Sequence, residues 1–509
     1  MSVSLLLSMA TSEYDERPAV GRLADPTSYA RLARLAAGGA AVLLEAGART
    51  VVFVGVNSPA VPVTLFASAH AGVAFVPLNY RLSAAALHQL IGTLDAPVVI
   101  ADAAYLELLD GAAPLVLAAE DWLGRCAASE PADEVTVDDD AAAVILFTSG
   151  TTSAPKGVVL RHGNLLAYVL GTVEFGSAGP HDAALISVPP YHIAGIGTVL
   201  TNVYAGRRMV YLPTFDPEQW LSLVRAESVT NTMLVPTMLA RIVDHLNGAP
   251  AQTPTLRSLA YGGSRTAPSV VEKAPACFPE TGFVNAYGLT ETSSTIAVLG
   301  PDDHRAAFAA TEPGLRRRLA SVGQLVPSIE GQVRDDAGRV LGPNAYGDLW
   351  VRGPQVSGEY LGLGPALDDH GWFPTRDRAM IDDDGYVYIE GRVDDTIIRG
   401  GENIAPAEIE DVLAAHPGVQ SVAVVGVPDP QWGECLTAVV VRRAGAAVTG
   451  EELRSWVRER LRGSRTPDSV KFWRDLPTTP TGKLIRREIV SALALEENPS
   501  ANTRHAAST

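Results

Sequence analysis

Leu146-Phe-Thr-Ser-Gly-Thr-Thr-Ser-Ala-Pro-Lys-Gly-Val158 is the stretch on which the reading of this 509-residue chain turns. An apolar run, Ala141–Phe147, leads into it and reads as a buried strand. A second apolar run, Val158–Leu160, closes the unit. Between them Thr148, Ser149, Thr151 and Thr152 surround Gly150, and Lys156 and Gly157 follow. A polyphosphate needs this combination: backbone N–H groups and hydroxyls donate to its oxygens, glycine lets the backbone approach, and a lysine neutralises charge. The plainer alternative is a Ser/Thr-rich hairpin turn with no ligand. It is disfavoured because such turns seldom set a hydroxyl cluster and a lysine between two apolar strands. A Walker A loop requires Gly-Lys-Ser/Thr, whereas Lys156 lies between Pro155 and Gly157, so an ATPase or kinase of P-loop type is not expected.

Upstream, Val51–Val56, Val73–Pro77 and Pro97–Ala101 read as continuous apolar strands. Residues 27–49, Ser58–Ala71 and Ser83–Leu94 read as helices, the last with Ser83 as its N-cap. This alternation predicts parallel strands buried on both faces and hence an α/β fold. The uncharged run Val51–Tyr80 is long enough to suggest a membrane span, but Asn57, Pro59, Pro62 and His70 interrupt it, and it parses as strand, helix, strand.

Downstream, three strands run into turns. Leu185–Val188 meets Pro189-Pro190-Tyr191-His192, where two prolines forbid a helix and present Tyr191 and His192 ahead of an apolar helix, Ile193–Tyr204. A lone His in such a place is more often a satisfied core residue than a catalytic one. Thr230–Val235 then Pro236-Thr237-Met238 reads instead as a strand leading to a helix. Ser258–Tyr261 meets Gly262-Gly263-Ser264, a backbone surface suited to a flat ring. Phe283–Val284 precedes Asn285-Ala286-Tyr287-Gly288-Leu289-Thr290-Glu291. This motif offers an aromatic face for a purine, a glycine for close approach, and Thr290 and Glu291 for phosphate and Mg²⁺. Its plainer reading is a strand, a turn and a helix opened by Thr-Glu.

Gly347–Gly353 and Val387–Gly391 read as strands of a smaller, more twisted, barrel-like sheet. Asp382-Asp383-Asp384-Gly385 lacks the later ligands of a calcium loop and reads as a turn. Beyond it, Pro406 opens an amphipathic helix, Ala407–Ala415. Strands at Val422–Val427 and Leu436–Arg442 and a helix at Gly450–Leu461 complete a small α+β module. Pro480-Thr481-Gly482-Lys483 sets one lysine on a tight turn, and residues after Leu493 read as a disordered tail.

Hydrophobic residues make up 47% of the chain and charged residues 19%, which indicates a globular protein of at least two domains. A formal charge of −17 argues against a nucleic-acid or anionic-membrane partner, though not against small polyanions that need only local donors. Cys126, Cys277 and Cys435 have neither metal nor redox spacing and suit a reducing, cytoplasmic setting. The apolar start lacks a basic region, so no signal peptide is expected.

Residues 146–158 resemble the signature loop of the adenylate-forming superfamily: acyl-CoA synthetases, peptide-synthetase adenylation domains and beetle luciferases. Further motifs match in the superfamily's order over roughly residues 28–490. The resemblance implies a large N-terminal adenylation domain, 1–392, and a small mobile lid domain, 393–493, followed by the tail, 494–509. It implies that Lys156 and the hydroxyl loop hold phosphates and that Gly262, Gly263, Ser264, Asn285, Ala286, Tyr287 and Gly288 hold the nucleotide. Thr290 and Glu291 serve the metal and phosphates, and Asp377 and Arg392 grip the ribose. Asp394, in Gly391-Arg392-Val393-Asp394-Asp395, matches the hinge, Gly400 and Gly401 the thiol channel, and Lys483 the mobile catalytic lysine. Tyr191, His192, Ile193, Pro236, Gly263 and Gly288 fall at the carboxylate pocket. The chain departs from the pattern at Ser153 and Arg376, where the superfamily usually has glycine. A side chain at positive φ costs roughly 1–2 kcal/mol, so the loop around Arg376 is expected to differ.

The activity so implied joins a carboxylate to AMP and then passes the acyl group to a thiol, with ATP, Mg²⁺ and coenzyme A as cofactors. The aromatic–His pair at Tyr191–His192 resembles acyl- and aryl-CoA ligases. No acid lies between Pro189 and Tyr204 to pair with an ammonium group, so an α-amino acid is disfavoured as substrate. The expected partner is a fatty, cyclic or aromatic carboxylic acid. A stand-alone enzyme loading a carrier-protein phosphopantetheine is the first alternative and a non-catalytic nucleotide-binding protein the second. A homodimer is left open.

Overall fold

The computed structural model describes residues 1–148, 155–392, 395–399, 402–429, 432–461, 463–479 and 483–497. The strands Thr50–Val54, Ala74–Pro77 and Pro97–Ala101 are apolar along their length and can be covered on both faces. They pair in parallel with one another and with Leu115–Ala118 and Ala142–Thr148. Lys156–Arg161 returns antiparallel to Ala142–Thr148, with Leu146 opposite Val158. Glu359–Tyr360 adds to its outer side, with Tyr360 opposite Val158, in what becomes an eight-stranded sheet among the described residues. A second, nine-stranded sheet carries Arg208–Tyr211, Ala183–Ile186, Asn231–Leu234, Ser258–Gly262 and Gly282–Leu289 as parallel neighbours.

The helices between these sheets explain the long uncharged run. All of Ala60–His70 except His70 is buried, as expected for a helix that is apolar all round. With Ser4–Tyr14, Tyr29–Glu45 and Ile193–Ala205 it forms a core that joins Phe53, Phe75 and Val144 of the first sheet to Ile186 and Met209 of the second. Ala84–Ile91 covers the far face of the first sheet, and the Ser83 hydroxyl caps it by accepting from the Ala86 amide at 3.3 Å. Pro217–Ala226, Pro236–Leu246 and Pro268–Cys277 cover the far face of the second. No helix among the described residues is long and apolar enough to cross a membrane.

Parallel strands all point the same way, so the turns after Ala183–Ile186, Asn231–Leu234 and Ser258–Gly262 gather along one edge. Open α/β sheets place ligands at that edge. Glu330–Arg334, Gly347–Arg352, Phe373–Ile381 and Val387–Arg392 form a separate four-stranded antiparallel sheet. The next described strand, Ile397–Arg399, already belongs to another sheet, with Glu402–Ile404, Gly433–Arg442, Val419–Asp429 and Ser469–Trp473. Pro406–Ala414 and Gly450–Arg458 pack on one face of that sheet and Arg486–Glu497 on the other.

One motif is resolved as strand and two expectations are corrected. The segment Asn285–Leu289 is strand, because Gly282–Leu289 pairs on both sides, with Ser258–Gly262 and with Ser294–Leu299; only Thr290–Thr292 turns, as a single 3₁₀ turn. Residues 494–497 are helical rather than tail, because Ile489 and Leu493 bury against Ala423, Val425 and Val439 and hold the last helix in place. The loop at Arg376 does not relax: the arginine itself adopts a left-handed φ of 60°.

Candidate active site

Register places the first pair of side chains. Phe373–Ile381 and Val387–Arg392 pair antiparallel with Asp377 opposite Arg392, and Arg392 Nε lies 3.1 Å from Asp377 Oδ1. The Tyr287 hydroxyl, from the nine-stranded sheet, donates to Asp377 Oδ2 at 2.6 Å, and Arg392 Nη1 donates to the Thr375 carbonyl at 2.8 Å. Asp377 is 6% exposed. Burial raises its pKa, while Arg392, Tyr287 and Lys483 oppose that rise. The carboxylate is thus fixed in orientation and keeps lone pairs for further donors.

A second group forms around Glu291. Its backbone carbonyl accepts from the amides of Ser357 at 2.9 Å and Gly358 at 3.1 Å. Buried Gln355 donates to the carbonyls of Thr292 and Thr295, at 3.1 and 2.9 Å, and braces the same turn. The Tyr360 hydroxyl donates to Glu291 Oε1 at 2.9 Å, and Lys156 Nζ lies 5.5 Å from the Tyr360 ring centre. Burial first, and the Glu291 charge next, push the Tyr360 hydroxyl pKa up.

Lys483 comes from the small domain. Its backbone N–H donates to Thr479 Oγ1 at 3.0 Å and its carbonyl accepts from the Thr479 amide at 2.7 Å; the expected turn at 480–482 between them lies outside the described residues. Desolvation and then Arg392 lower the ammonium pKa; Asp377, Asp395 and Glu291 act in the opposite direction. The lysine therefore shares one electrostatic site with both carboxylate groups.

His192 caps Ile193–Ala205, its Nδ1 accepting from the Ala194 amide at 3.1 Å. Burial, and then the charge of Lys483, lower its pKa to about 4. The ring is neutral near pH 7, and with Nδ1 accepting, the proton sits on Nε2. That edge faces Gly263, where an added Cβ would lie 3.8 Å from Nε2. Tyr191 packs edge-on against Tyr80 at 5.7 Å, its hydroxyl buried with no partner among the described residues.

Among the remaining expected residues, Thr148 Oγ1 donates to the Lys156 carbonyl at 3.5 Å and Asn285 Nδ2 to the Ser321 carbonyl at 3.3 Å. Ile193 lies in the inter-sheet core and Pro236 is buried as the first residue of its helix. Ala286 is buried, and Ser264 and Thr290 are half-buried. Ser149, Gly150, Thr151, Thr152, Asp394, Gly400 and Gly401 lie outside the described residues. A Cβ on Gly195 would meet the Pro189 carbonyl at 2.4 Å, and one on Gly262 the Ala286 carbonyl at 2.0 Å. One on Gly288 would meet the Ser294 carbonyl at 1.8 Å. Neighbouring backbone fills those spaces, so close packing explains these glycines.

Tyr360 was not anticipated. Its signal was a tyrosine inside Gly358-Glu-Tyr-Leu-Gly362, which only the pairing of Tyr360 with Val158 brings beside Lys156. Nor was the ion pair Arg265–Asp411, which links the large domain to the small one.

Comparison with known proteins bears on this arrangement. The profile described as AMP-binding enzyme matches residues 8–361, and that of the AMP-binding enzyme C-terminal domain matches residues 408–483. A feruloyl-CoA synthase of an Amycolatopsis species is 37% identical over 468 residues, spanning 90% of this chain and 91% of that protein. A fatty acid–[acyl-carrier-protein] ligase, ScoC, of Streptomyces coeruleorubidus is 33% identical, spanning 84% of this chain and 83% of that one. The crystal structure of ATP-bound MatB from Rhodopseudomonas palustris superposes with a TM-score of 0.86 at 28% identity, over 97% of this chain and 99% of that one.

Proposed function

The chain belongs to the AMP-binding enzyme family, and from that premise we propose that it is an AMP-forming carboxylic acid:CoA ligase acting on a fatty, cyclic or aromatic acid. The observation that carries this reading is Lys483. A lysine from the small domain lies in the same electrostatic site as Asp377, Arg392, Glu291 and His192, all of them side chains of the large domain.

The substrate carboxylate is ionised near neutral pH and needs no base. One of its oxygens bonds to the α-phosphorus of ATP while the bond to pyrophosphate breaks. Lys483 and Lys156 supply positive charge where negative charge concentrates. The His192 Nε2–H is a neutral donor for the acid. Asp377, oriented by Tyr287 and Arg392, accepts from the ribose hydroxyls. In the second step a thiolate sulfur bonds to the acyl carbon and AMP leaves with its electron pair. Rotation of the small domain about Asp394 would remove Lys483 and bring Gly400 and Gly401 to the site, a lid motion of a common kind.

Glu291 fits a Mg²⁺ ion, which is usually held by one or two carboxylates together with substrate phosphates. Among the described residues there is no cluster of three or more metal-binding side chains, so the phosphates would complete its coordination. Bound there, the ion would neutralise polyphosphate charge.

The test is acid-dependent pyrophosphate release over a panel of fatty and aromatic acids, followed by AMP release with free CoA. No release with any acid would sink the reading. ScoC, whose name assigns a carrier protein as acceptor, supports a second reading, in which a carrier phosphopantetheine replaces CoA. Turnover with a loaded carrier but not with CoA would select it. The expected location is the cytoplasm.

A further inference from the structure

We infer that Arg376 is a nucleotide-contacting residue of this enzyme: a guanidinium held beside the ribose carboxylate to bind the anionic polyphosphate of ATP. The inference rests on the proposed ligase reading and adds a binding group to it.

Backbone conformation comes first. Arg376 lies within the strand Phe373–Ile381 and has a φ of 60°. For a bulky side chain that is an outlier, and glycine would adopt it at much lower cost. Residues kept in such conformations cluster at ligand clamps and active sites, where surrounding structure holds them. Here both neighbours are pinned. The Thr375 hydroxyl donates to the Leu349 carbonyl at 2.8 Å, and Asp377 is locked by Tyr287 and Arg392. The strain therefore sits against the carboxylate that orients the nucleotide.

Position comes second. Arg376 is exposed, whereas Thr375 and Asp377 on either side are buried. Its charge is felt at the Tyr360 hydroxyl, more strongly than that of Arg392. That hydroxyl is the one bonded to Glu291, with Lys156 over the ring. Arg376 thus lies within electrostatic reach of the hydroxyl that holds Glu291, on the side where Lys156 covers the ring. A guanidinium suits phosphate oxygens through its fork of donors. The alternative is structural: Arg376 also acts on Asp348 of the neighbouring strand, and could serve only to anchor the sheet edge.

Three variants separate these roles. R376G removes both strain and charge, R376A keeps the strain and removes the charge, and R376K keeps a charge without the fork. The readouts are Tm, the rise in Tm produced by ATP, and kcat/KM for ATP in acid-dependent pyrophosphate release. We expect R376G to have a Tm at or above wild type, yet to lose roughly tenfold or more in kcat/KM for ATP, with a smaller ATP-induced rise in Tm. R376A should lose as much with a lower Tm, and R376K should recover part of the loss. A wild-type kcat/KM in R376G would overturn the proposal, as would a Tm well below wild type. So would D348N reproducing the loss, since the arginine would then act through the sheet. If wild type releases no pyrophosphate with any acid, the ligase reading fails on its own, and the ATP-induced Tm shifts still decide whether Arg376 contacts the nucleotide.

Discussion

Arg265 of the large domain and Asp411 of the small domain meet across the interface, Nη2 to Oδ2 at 2.5 Å. Arg265 directly follows Gly262-Gly263-Ser264, and Asp411 lies on the helix Pro406–Ala414. Burial pushes the Asp411 carboxyl up to about 6, with the Arg265 charge working against that rise. The pair joins the two domains in the arrangement in which Lys483 lies within electrostatic reach of Asp377 and Glu291.

Arg265→Ala should therefore shift the balance between domain orientations. Partly exposed ion pairs contribute about 0–1 kcal/mol, so single-turnover acyl-adenylate formation should fall no more than roughly fivefold. Consumption of supplied acyl-adenylate by CoA should stay constant or rise. Equal losses in both steps would show that the pair does not distinguish the two orientations.

Lys483→Ala should slow adenylation by about 10²–10³-fold, the usual effect of removing one preorganised donor from developing charge. Thioester formation from supplied acyl-adenylate should be largely retained. Stopped-flow measurement of each half-reaction on one preparation checks this, and parallel losses would count against the division of labour.

Glu291→Gln should raise the Mg²⁺ concentration needed for half-maximal pyrophosphate release, with part of the lost rate recovered at high Mg²⁺. Tyr360→Phe removes the donor to Glu291 Oε1 and should move the same midpoint by less. A Mg²⁺ titration unchanged in Glu291→Gln would remove this carboxylate from the metal site.

Asp394→Pro fixes φ near −65° and removes an amide donor at the residue matched to the hinge. The sheet containing Arg392 ends just before it and the small domain's sheet begins at Ile397. Acyl-adenylate formation should survive while CoA transfer falls much further. Normal CoA transfer would move the pivot elsewhere, with Asp395 next in line.

Acid should destabilise the fold through His162. The ring is buried, Nδ1 accepts from the Val3 amide at 3.2 Å, and burial lowers its pKa to about 4. Above pH 6.5 the ring is neutral in folded and unfolded chains, and its contribution is fully present. As pH falls from 6.5 through 4 the unfolded chain takes up a proton that the folded ring refuses, so up to about 3 kcal/mol is lost. Tm measured between pH 7 and pH 4.5 should fall less steeply in His162→Asn; identical slopes would show that other groups govern the acid limb.

Much of the fold and part of the site could be read from local pattern. Pro97–Ala101 is a strand with the expected bounds, and Ser83 caps the expected helix. The Val51–Tyr80 run resolves into strand, helix and strand, with Asn57 and Pro59 between the first strand and the helix, and Pro62 and His70 inside the helix. Asp382 caps its own turn, accepting from the Asp384 and Tyr386 amides at 3.1 and 2.8 Å, as expected of a turn. The segment after Val284 is strand because pairing on both flanks is set by segments distant in the chain.

By itself the sequence determined which stretches alternate between buried strand and covering helix, and which residue types could meet a phosphate, a metal or a carboxylate. Those properties follow from hydrophobic period, turn chemistry and side-chain functional groups, all of them local. Tertiary structure alone decided that Tyr360 joins Lys156 to Glu291, that Arg265 reaches Asp411, and that Gly262 and Gly288 are small to admit backbone. It alone decided that Arg376 keeps a glycine's conformation. Each of these depends on strand register or on how two domains meet, and a shift of one residue in register would reverse which face a side chain occupies.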